Sequence, residues 1–265
     1  MVAPIVSFDL DGTLLDEHNH IHPRDKEILL SRNDIIFMPC TGRPYNSVVE
    51  MFHNNGMFLG EAPPFPVVAN NGSVIYLPGG KLLQYRNFSA ELQQQLLDVF
   101  YQFPQAAFML SEIEHTYLFL PSERGVQWLN RFLSVWYHYT EDYAGPIFGK
   151  ITGLSDDPAL MQVLMARLSQ LPVELSLSMP YVLDINPQGV NKRTGVMAVV
   201  KAMHLEGAPI FAAGDGGNDL DLLKLAKVSF SPATSADFVK RRVDRIVDTS
   251  AHGLLCTMLK TATCP

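Results

Sequence analysis

Pro4-Ile-Val-Ser-Phe-Asp9 is a short apolar run rich in β-branched residues, and Asp9-Leu10-Asp11-Gly12-Thr13 closes it. Such a run predicts a buried strand that ends at Asp9 and delivers two carboxylates to its tip. The same arrangement occurs twice more. Ile35-Ile36-Phe37-Met38 leads to Thr41-Gly42-Arg43, and Ile210–Ala213 leads to Gly214-Asp215-Gly216-Gly217-Asn218-Asp219. In open α/β sheets ligands bind beyond the carboxyl ends of the strands, so loops from opposite ends of the chain can converge there. Asp9, Asp11 and Asp215 would then share one crevice, a costly crowding unless a cation sits among them. Ligation by oxygen alone, with no clustered Cys or His, points to a hard ion, most simply Mg²⁺. A metal held by carboxylates and completed by phosphate oxygens is a common arrangement for phosphoryl transfer.

Outward from these tips the pattern alternates. Pro23 opens a helix carrying Ile28, Leu29 and Leu30, and Pro44 opens another through Val48, Val49 and Phe52. Pro66-Val67-Val68-Ala69 reads as a third strand of the same sheet, followed by Asn70-Asn71-Gly72. Between 85 and 186 the texture changes. Helices are expected over Ser89–Phe103, Glu123–Tyr137 and Pro158–Leu168, and strands over Ala106–Leu110, Thr116–Leu120, Phe148–Leu154, Glu174–Met179 and Tyr181–Ile185. From Pro187 the alternation returns, with helix Lys192–His204, helix Leu220–Ala226, strand Val228–Ser231, a helix from Ser235 and strand Ile246–Val247 before a last helix. The economical organisation is an α/β domain with a parallel sheet built from residues 1–84 and 187–265, interrupted by an α+β domain over 85–186.

Composition bounds the partners. The 265 residues are 47% hydrophobic and 18% charged, enough apolar material for a sizeable core. A formal net charge of −7 argues against non-specific binding to nucleic acid or an anionic membrane. No apolar run approaches the roughly 18 residues of a membrane span, and Met1-Val2-Ala3-Pro4 lacks the basic start of a secretory signal. Cys40, Cys256 and Cys264 form no C-x-x-C pair, which excludes a disulfide framework or thiolate zinc site as the organising feature. A cytoplasmic protein, monomeric or homodimeric, is expected.

The motifs together resemble the haloacid dehalogenase-like phosphohydrolases, in their Cof-like branch (subclass IIB). The matching residues are D-L-D-G-T-L-L at Asp9–Leu15, T-G-R at Thr41–Arg43, N-G at Asn71-Gly72, G-V-N-K at Gly189–Lys192 and G-D-G-G-N-D at Gly214–Asp219. They stand in the family's order over nearly the whole chain. The resemblance implies a Rossmann-like core with an inserted cap that selects the substrate. It implies a Mg²⁺-dependent phosphatase acting on a small phosphorylated metabolite, most simply a sugar phosphate. Asp9 would be the nucleophile that becomes an aspartyl phosphate, and Asp11 the general acid and then base. Mg²⁺ would be held by Asp9, the Asp11 backbone carbonyl and Asp215. Thr41 and Lys192 would hold the transferring phosphoryl, the N–H groups from Leu10 onward and Gly42 would face its oxygens, and Asn218 and Asp219 would orient the lysine and the metal's water. A sugar phosphomutase or phosphotransferase runs on the same chemistry, so the core motifs leave that alternative open.

Other residues carry two readings each. Asn71 is either part of a plain turn or a substrate contact. Arg43 is either a salt-bridge partner or a contact to substrate or cap. Thr41 could also cap the helix after it. His18, His20 and His22 alternate like metal ligands but sit in a polar loop, where solvated side chains are the simpler reading. Cys40 reads as core, and so does the stripe Trp128, Phe132, Trp136 and Tyr139.

Overall fold

A computed structural model describes residues 3–140 and 148–262. Cys264 and the opening Met1-Val2 lie outside the described residues. The first segment runs β1 (Ile5–Phe8), α1 (Pro23–Ser31), β2 (Ile36–Pro39), α2 (Tyr45–Asn54), then β3 (Val67–Ala69), β4 (Val74–Leu77) and β5 (Lys81–Tyr85). The inserted segment holds α3 (Ala90–Phe100), β6 (Ala107–Ser111), β7 (Thr116–Phe119), α4 (Glu123–Phe132), β8 (Tyr137–His138), β9 (Lys150–Leu154), α5 (Pro158–Leu168), β10 (Val173–Met179) and β11 (Val182–Pro187). The chain then returns through α6 (Lys192–Ala202), β12 (Ile210–Ala213), α7 (Leu220–Leu225), β13 (Val228–Pro232), α8 (Asp237–Lys240), β14 (Arg245–Val247), α9 (Thr249–His252) and α10 (Leu254–Ala262).

Five strands form one parallel sheet in the order β14-β13-β12-β1-β2. β1 is an inner strand, paired on both sides by β12 and β2, which is why Ile5–Phe8 is buried throughout and reads as a continuous apolar run. Val6 and Phe8 face a core shared with α1, α2 and α10. Ile5 faces the other core, filled by Val196, Val199 and Val200 of α6 and Leu222 and Leu223 of α7. Helices on both faces leave only the strand ends open, as an α/β sheet requires.

The sequence differs from the structure at β3. Val67–Ala69 is not a further strand of the parallel sheet but the first of an antiparallel β3-β4-β5 meander. A single bridge, Cys40 to Val68, joins it to the main sheet just past the end of β2. Gly79 and Gly80 both adopt positive φ in the β4–β5 turn, so the hairpin signal was present at the turn rather than in the strands.

The insertion forms a mixed six-stranded sheet, β10-β11-β9-β6-β7-β8. One face packs under α3 and α5 through Leu96, Phe100, Leu164 and Leu168. α4 covers part of the other through Leu129 and Leu133. α4 stops at Phe132, short of the expected Tyr137, because Leu133 turns extended (φ −136°, ψ 131°) and drops its side chain into this layer. Tyr137–His138 then pairs with β7. The expected aromatic stripe is therefore broken. Trp128 and Trp136 both pack against the cluster of Leu129 and Leu133, Trp128 lining a cavity as well, and Tyr139 joins the layer under α3. The Phe132 side chain lies outside the described residues.

The two ends of the chain are locked together by Asp25. This buried carboxylate on α1 accepts the N–H groups of Leu254 and Leu255 at 2.8 and 2.9 Å, capping the start of α10. Burial pushes its pKa upward against those hydrogen bonds. Asp25→Ala should destabilise the protein by about 1–3 kcal/mol, since two buried donors lose their acceptor. Thermal unfolding checks this; an unchanged transition would show that the cap contributes nothing.

Candidate active site

Asp9 stands one residue beyond β1, its N–H donating to the Ala213 carbonyl of β12 at 3.0 Å. The chain then folds back tightly. The Leu10 carbonyl accepts from Thr13, Leu14 and Leu15, and Gly12 turns through φ +70°. A Cβ at Gly12 would lie 2.5 Å from Asp215 Oδ2, so only glycine lets the first and last motifs approach this closely. The Leu10 side chain is buried in the core, which leaves its backbone N–H as the group able to serve a ligand.

Lys192 begins α6. Asn191 caps that helix through Thr194, whose hydroxyl accepts from the Asn191 N–H in return. The ammonium is completely buried and donates to Asp9 Oδ1 at 2.7 Å and Asp219 Oδ1 at 2.5 Å. Burial alone would push its pKa down, and a helix N-terminus opposes a cation; the two carboxylates reverse both and hold it well above the ordinary lysine value. Asp219 spends its other oxygen on the N–H groups of Asp215 and Gly216. This explains why it grips the lysine so firmly.

Asp9, Asp215 and Asp219 can each place one carboxylate oxygen within 4.8 Å of the others. Asp9 is raised well above the usual carboxylate range by burial and by its acidic neighbours, despite Lys192. Asp215 is pushed up to about 7 by burial and by Asp219, despite a 3.0 Å hydrogen bond from Thr13 Oγ1. One buried cation among these acids is too little positive charge. With Asp219 committed to Lys192 and two N–H groups, Asp9 and Asp215 are the carboxylates left to share a hard divalent ion. The donor set fits Mg²⁺.

The other expected residues are brought to the same place in varied roles. Asp9, Asp11, Gly42, Arg43, Asp215 and Asn218 line a cavity of about 140 Å³ between the parallel sheet's strand ends and the inserted sheet. Arg43 grips Asp11 with two nitrogens and reaches Asn19 Oδ1 at 2.8 Å. Thr41 is fully buried behind Gly42 and does not cap α2; its hydroxyl accepts from the Arg43 N–H at 3.1 Å. Asn218 makes no hydrogen bond to Lys192, whose ammonium goes to Asp9 and Asp219. It donates to Asn71 Oδ1 at 3.2 Å. Cys40 is buried in the core, as its apolar surroundings predict.

Asn71 connects to residues the sequence reasoning missed. It donates to Asp184 Oδ2 at 3.0 Å and Asn186 Oδ1 at 3.3 Å, both on β11. Lys150 on β9 pairs with Asp184 at 2.9 Å and donates to the Gly42 carbonyl at 2.8 Å. Asn186 donates in turn to the Asn70 carbonyl at 3.0 Å. The signal was present: Asp184 and Asn186 stand two apart in an otherwise apolar strand, which puts two polar side chains on one buried face.

A raised carboxylate pKa means that the folded protein binds more protons than the unfolded chain between about pH 4 and 7. Metal-free protein should therefore lose stability as pH climbs through that window. Its Tm in chelator should be lower at pH 8 than at pH 5, and Mg²⁺ should restore most of the loss at pH 8. Asp215→Asn should flatten the chelator curve and weaken the Mg²⁺ effect. A Tm indifferent to Mg²⁺ at pH 8 would contradict the metal assignment.

Comparison with known proteins agrees with this geometry. The family model for haloacid dehalogenase-like hydrolases matches residues 6–255. A 5-amino-6-(5-phospho-D-ribitylamino)uracil phosphatase of Bacillus subtilis is 22% identical over 248 residues, covering 93% of this chain and 90% of that protein. The crystal structure of SMU.1108c from Streptococcus mutans superposes with a TM-score of 0.83 at 23% identity, covering all of both chains. The subclass IIB sugar phosphatase BT4131 superposes with a TM-score of 0.80 at 17% identity, covering 97% of this chain and 98% of the other. The chain thus belongs to the haloacid dehalogenase-like hydrolases, with the fold of a subclass IIB member.

Proposed function

We propose that the protein is a Mg²⁺-dependent phosphatase that hydrolyses a small phosphorylated metabolite through an aspartyl phosphate on Asp9. The observation that carries this reading is the Asp9 carboxylate itself, held by a buried lysine on the wall of a half-enclosed cavity, with a second carboxylate, Asp11, on the same lining. In this proposal residues 1–84 and 187–265 form the catalytic body, and 85–186 the cap that selects the leaving group. Mg²⁺, held by Asp9, Asp215 and the Asp11 carbonyl, would supply charge neutralisation between nucleophile and phosphate.

The protein's own groups would then divide the work. Asp9 attacks phosphorus, and Lys192 offsets the charge that would otherwise repel a phosphate dianion. The N–H groups of the turn after Asp9, with Gly42, would face the equatorial oxygens as they gain charge, while Thr41 braces the Gly42-Arg43 turn from behind through the Arg43 N–H. Arg43 is shared between Asp11 and the arriving phosphate, whose geometry a guanidinium matches. Asp11 gives a proton to the departing oxygen, then takes one from the water that cleaves the aspartyl phosphate. A carbon–halogen hydrolase needs no such acid, so Asp11 favours phosphate esters. The bridge from Lys150 and Asp184 to Gly42 and Asn71 supports a cap that closes over the reaction and excludes water.

A phosphate-release screen over phosphorylated metabolites with Mg²⁺ tests the reading directly. Inorganic phosphate is the expected product; an isomerised sugar phosphate would make the protein a mutase instead. Asp9→Asn should be inactive while still folded. Asp11→Asn should lower turnover of an alkyl phosphate by about 10²–10⁴-fold, because an alkoxide needs its proton. With an aryl phosphate the same variant should release a burst of phenol equal to the enzyme present, then stall with phosphate on the protein. Rapid quench reads both. Equal losses on the two substrates without a burst would remove Asp11 from proton transfer.

A further inference from the structure

The turn Thr41-Gly42-Arg43 reaches the cavity wall with nearly all of its main-chain polar groups already bonded. The Thr41 N–H donates to the Val68 carbonyl at 2.9 Å, and the Thr41 carbonyl accepts from the Asn71 N–H at 2.9 Å. The Arg43 N–H donates to Thr41 Oγ1 at 3.1 Å, and the Arg43 carbonyl accepts from the Asn70 N–H at 2.9 Å. These partners all belong to the first segment of the chain. The Gly42 carbonyl is held from elsewhere: it accepts at 2.8 Å from Lys150 Nζ, a side chain of β9 in the inserted sheet. Among the described residues nothing pairs with the Gly42 N–H, and Gly42 lines the cavity together with Asp9 and Asp11.

Packing alone does not account for Lys150. Its ammonium and the Asp184 carboxylate it meets at 2.9 Å are both nearly excluded from water, and a buried ion pair adds little stability over well-packed apolar side chains. Asp184 is itself fixed, accepting from Thr152 Oγ1 at 3.1 Å and Asn71 Nδ2 at 3.0 Å. The pair therefore forms a stiff strut between the two sheets. Gly42 is shaped to receive it, since a Cβ there would lie 3.0 Å from Lys150 Nζ and 3.3 Å from Asn71 Oδ1. The missing Cβ also leaves the Gly42 backbone freer to turn than any other residue's, and Lys150 pins the oxygen of the peptide that joins it to Arg43.

We propose that Lys150 is a positioning residue for phosphoryl transfer. By holding the Gly42 carbonyl it fixes the direction of the neighbouring Gly42 N–H, so that this donor meets a phosphoryl oxygen only while the inserted sheet is seated on the turn. The ammonium acts through the peptide and not on the leaving group, so its contribution is the same for every leaving group. The inference rests on the phosphatase reading for the reaction; the hold of Lys150 on the turn does not.

Lys150→Met removes the ammonium and keeps most of the side chain's bulk. 4-Nitrophenyl phosphate and acetyl phosphate share only the phosphoryl group, so together they report whether an effect belongs to that end. With Mg²⁺, kcat and kcat/KM should both fall about 10–100-fold, by the same factor on the two substrates, as expected for a misdirected donor to a phosphoryl oxygen. KM should stay nearly constant, because the lost contact is made in the transition state. The double variant Lys150→Met/Asp184→Asn leaves no lone buried charge and should show the same loss if the single variant fails to fold. Hydrogen exchange of the Arg43 amide, read by NMR, should quicken by about tenfold or more in either variant as the turn loosens. An unchanged kcat in a folded variant, a loss confined to KM, or unchanged Arg43 exchange would overturn the proposal. So would clearly unequal losses on the two substrates, which would make Lys150 a leaving-group contact instead. If wild-type protein releases phosphate from neither substrate, nor from any metabolite in the release screen, the phosphatase reading fails by itself. Arg43 exchange then decides the strut: quickening supports it, and no change overturns it.

Discussion

The Lys192 ammonium, wholly removed from water, lies between the carboxylates of Asp9 and Asp219, and this contact fixes three distant parts of the chain at once. A buried unpaired ammonium would cost several kcal/mol, and so would either buried carboxylate without it. None of the three groups can therefore move far while the others stay. The surroundings are shaped to allow the meeting. Gly72 adopts φ +105°, and a Cβ there would lie 2.5 Å from the Asn191 carbonyl. α6 can thus seat against the turn after β3 and point its first residue at the end of β1. The position of the Asp9 carboxylate is set by electrostatics that the fold is obliged to satisfy.

From that point the constraints spread to the second sheet. Asn218 lies three residues after Asp215, Asn71 follows β3, and Asp184 lies on the inserted β11, yet hydrogen bonds link them in one chain. Lys150 closes the loop by reaching back to the Gly42 carbonyl. Buried polar networks of this kind tolerate few alternatives, because a half-satisfied one is worse than none. The inserted sheet is consequently held at a defined height above Asp9. The same register that places Asp184 over Asn71 places Met109 and Val182 farther out, so one strand pairing governs both the contact with the parallel sheet and the shape of the cavity's outer wall.

Much of this was legible in the sequence, for identifiable reasons. Fully buried parallel strands such as Ile5–Phe8 and Ile210–Ala213 leave continuous apolar runs, and their acidic tips mark where ligands gather. The β3-β4-β5 meander was harder, because Lys81–Tyr85 is half exposed and its side chains alternate poorly. Asp9, Asp11, Arg43, Asp215 and Lys192 could be named because each sits at the end of a strand or the start of a helix. Lys150, Asp184 and Asn186 could not, since their position depends on register within a sheet whose pairing the sequence does not specify. Arg43 shows the same limit differently: its residue type was informative, but its grip on Asp11 required the loop geometry.

The central claim, that Asp9 carries the phosphoryl group during turnover, is open to direct chemical trapping. Wild-type enzyme quenched in acid during steady-state hydrolysis of an aryl phosphate, then reduced with borohydride, should convert Asp9 alone to homoserine. Peptide mass spectrometry of the β1 segment reads that conversion, and enzyme quenched without substrate should show none. Turnover accompanied by an unmodified Asp9, or by modification at Asp11 or Asp215 instead, would contradict the account.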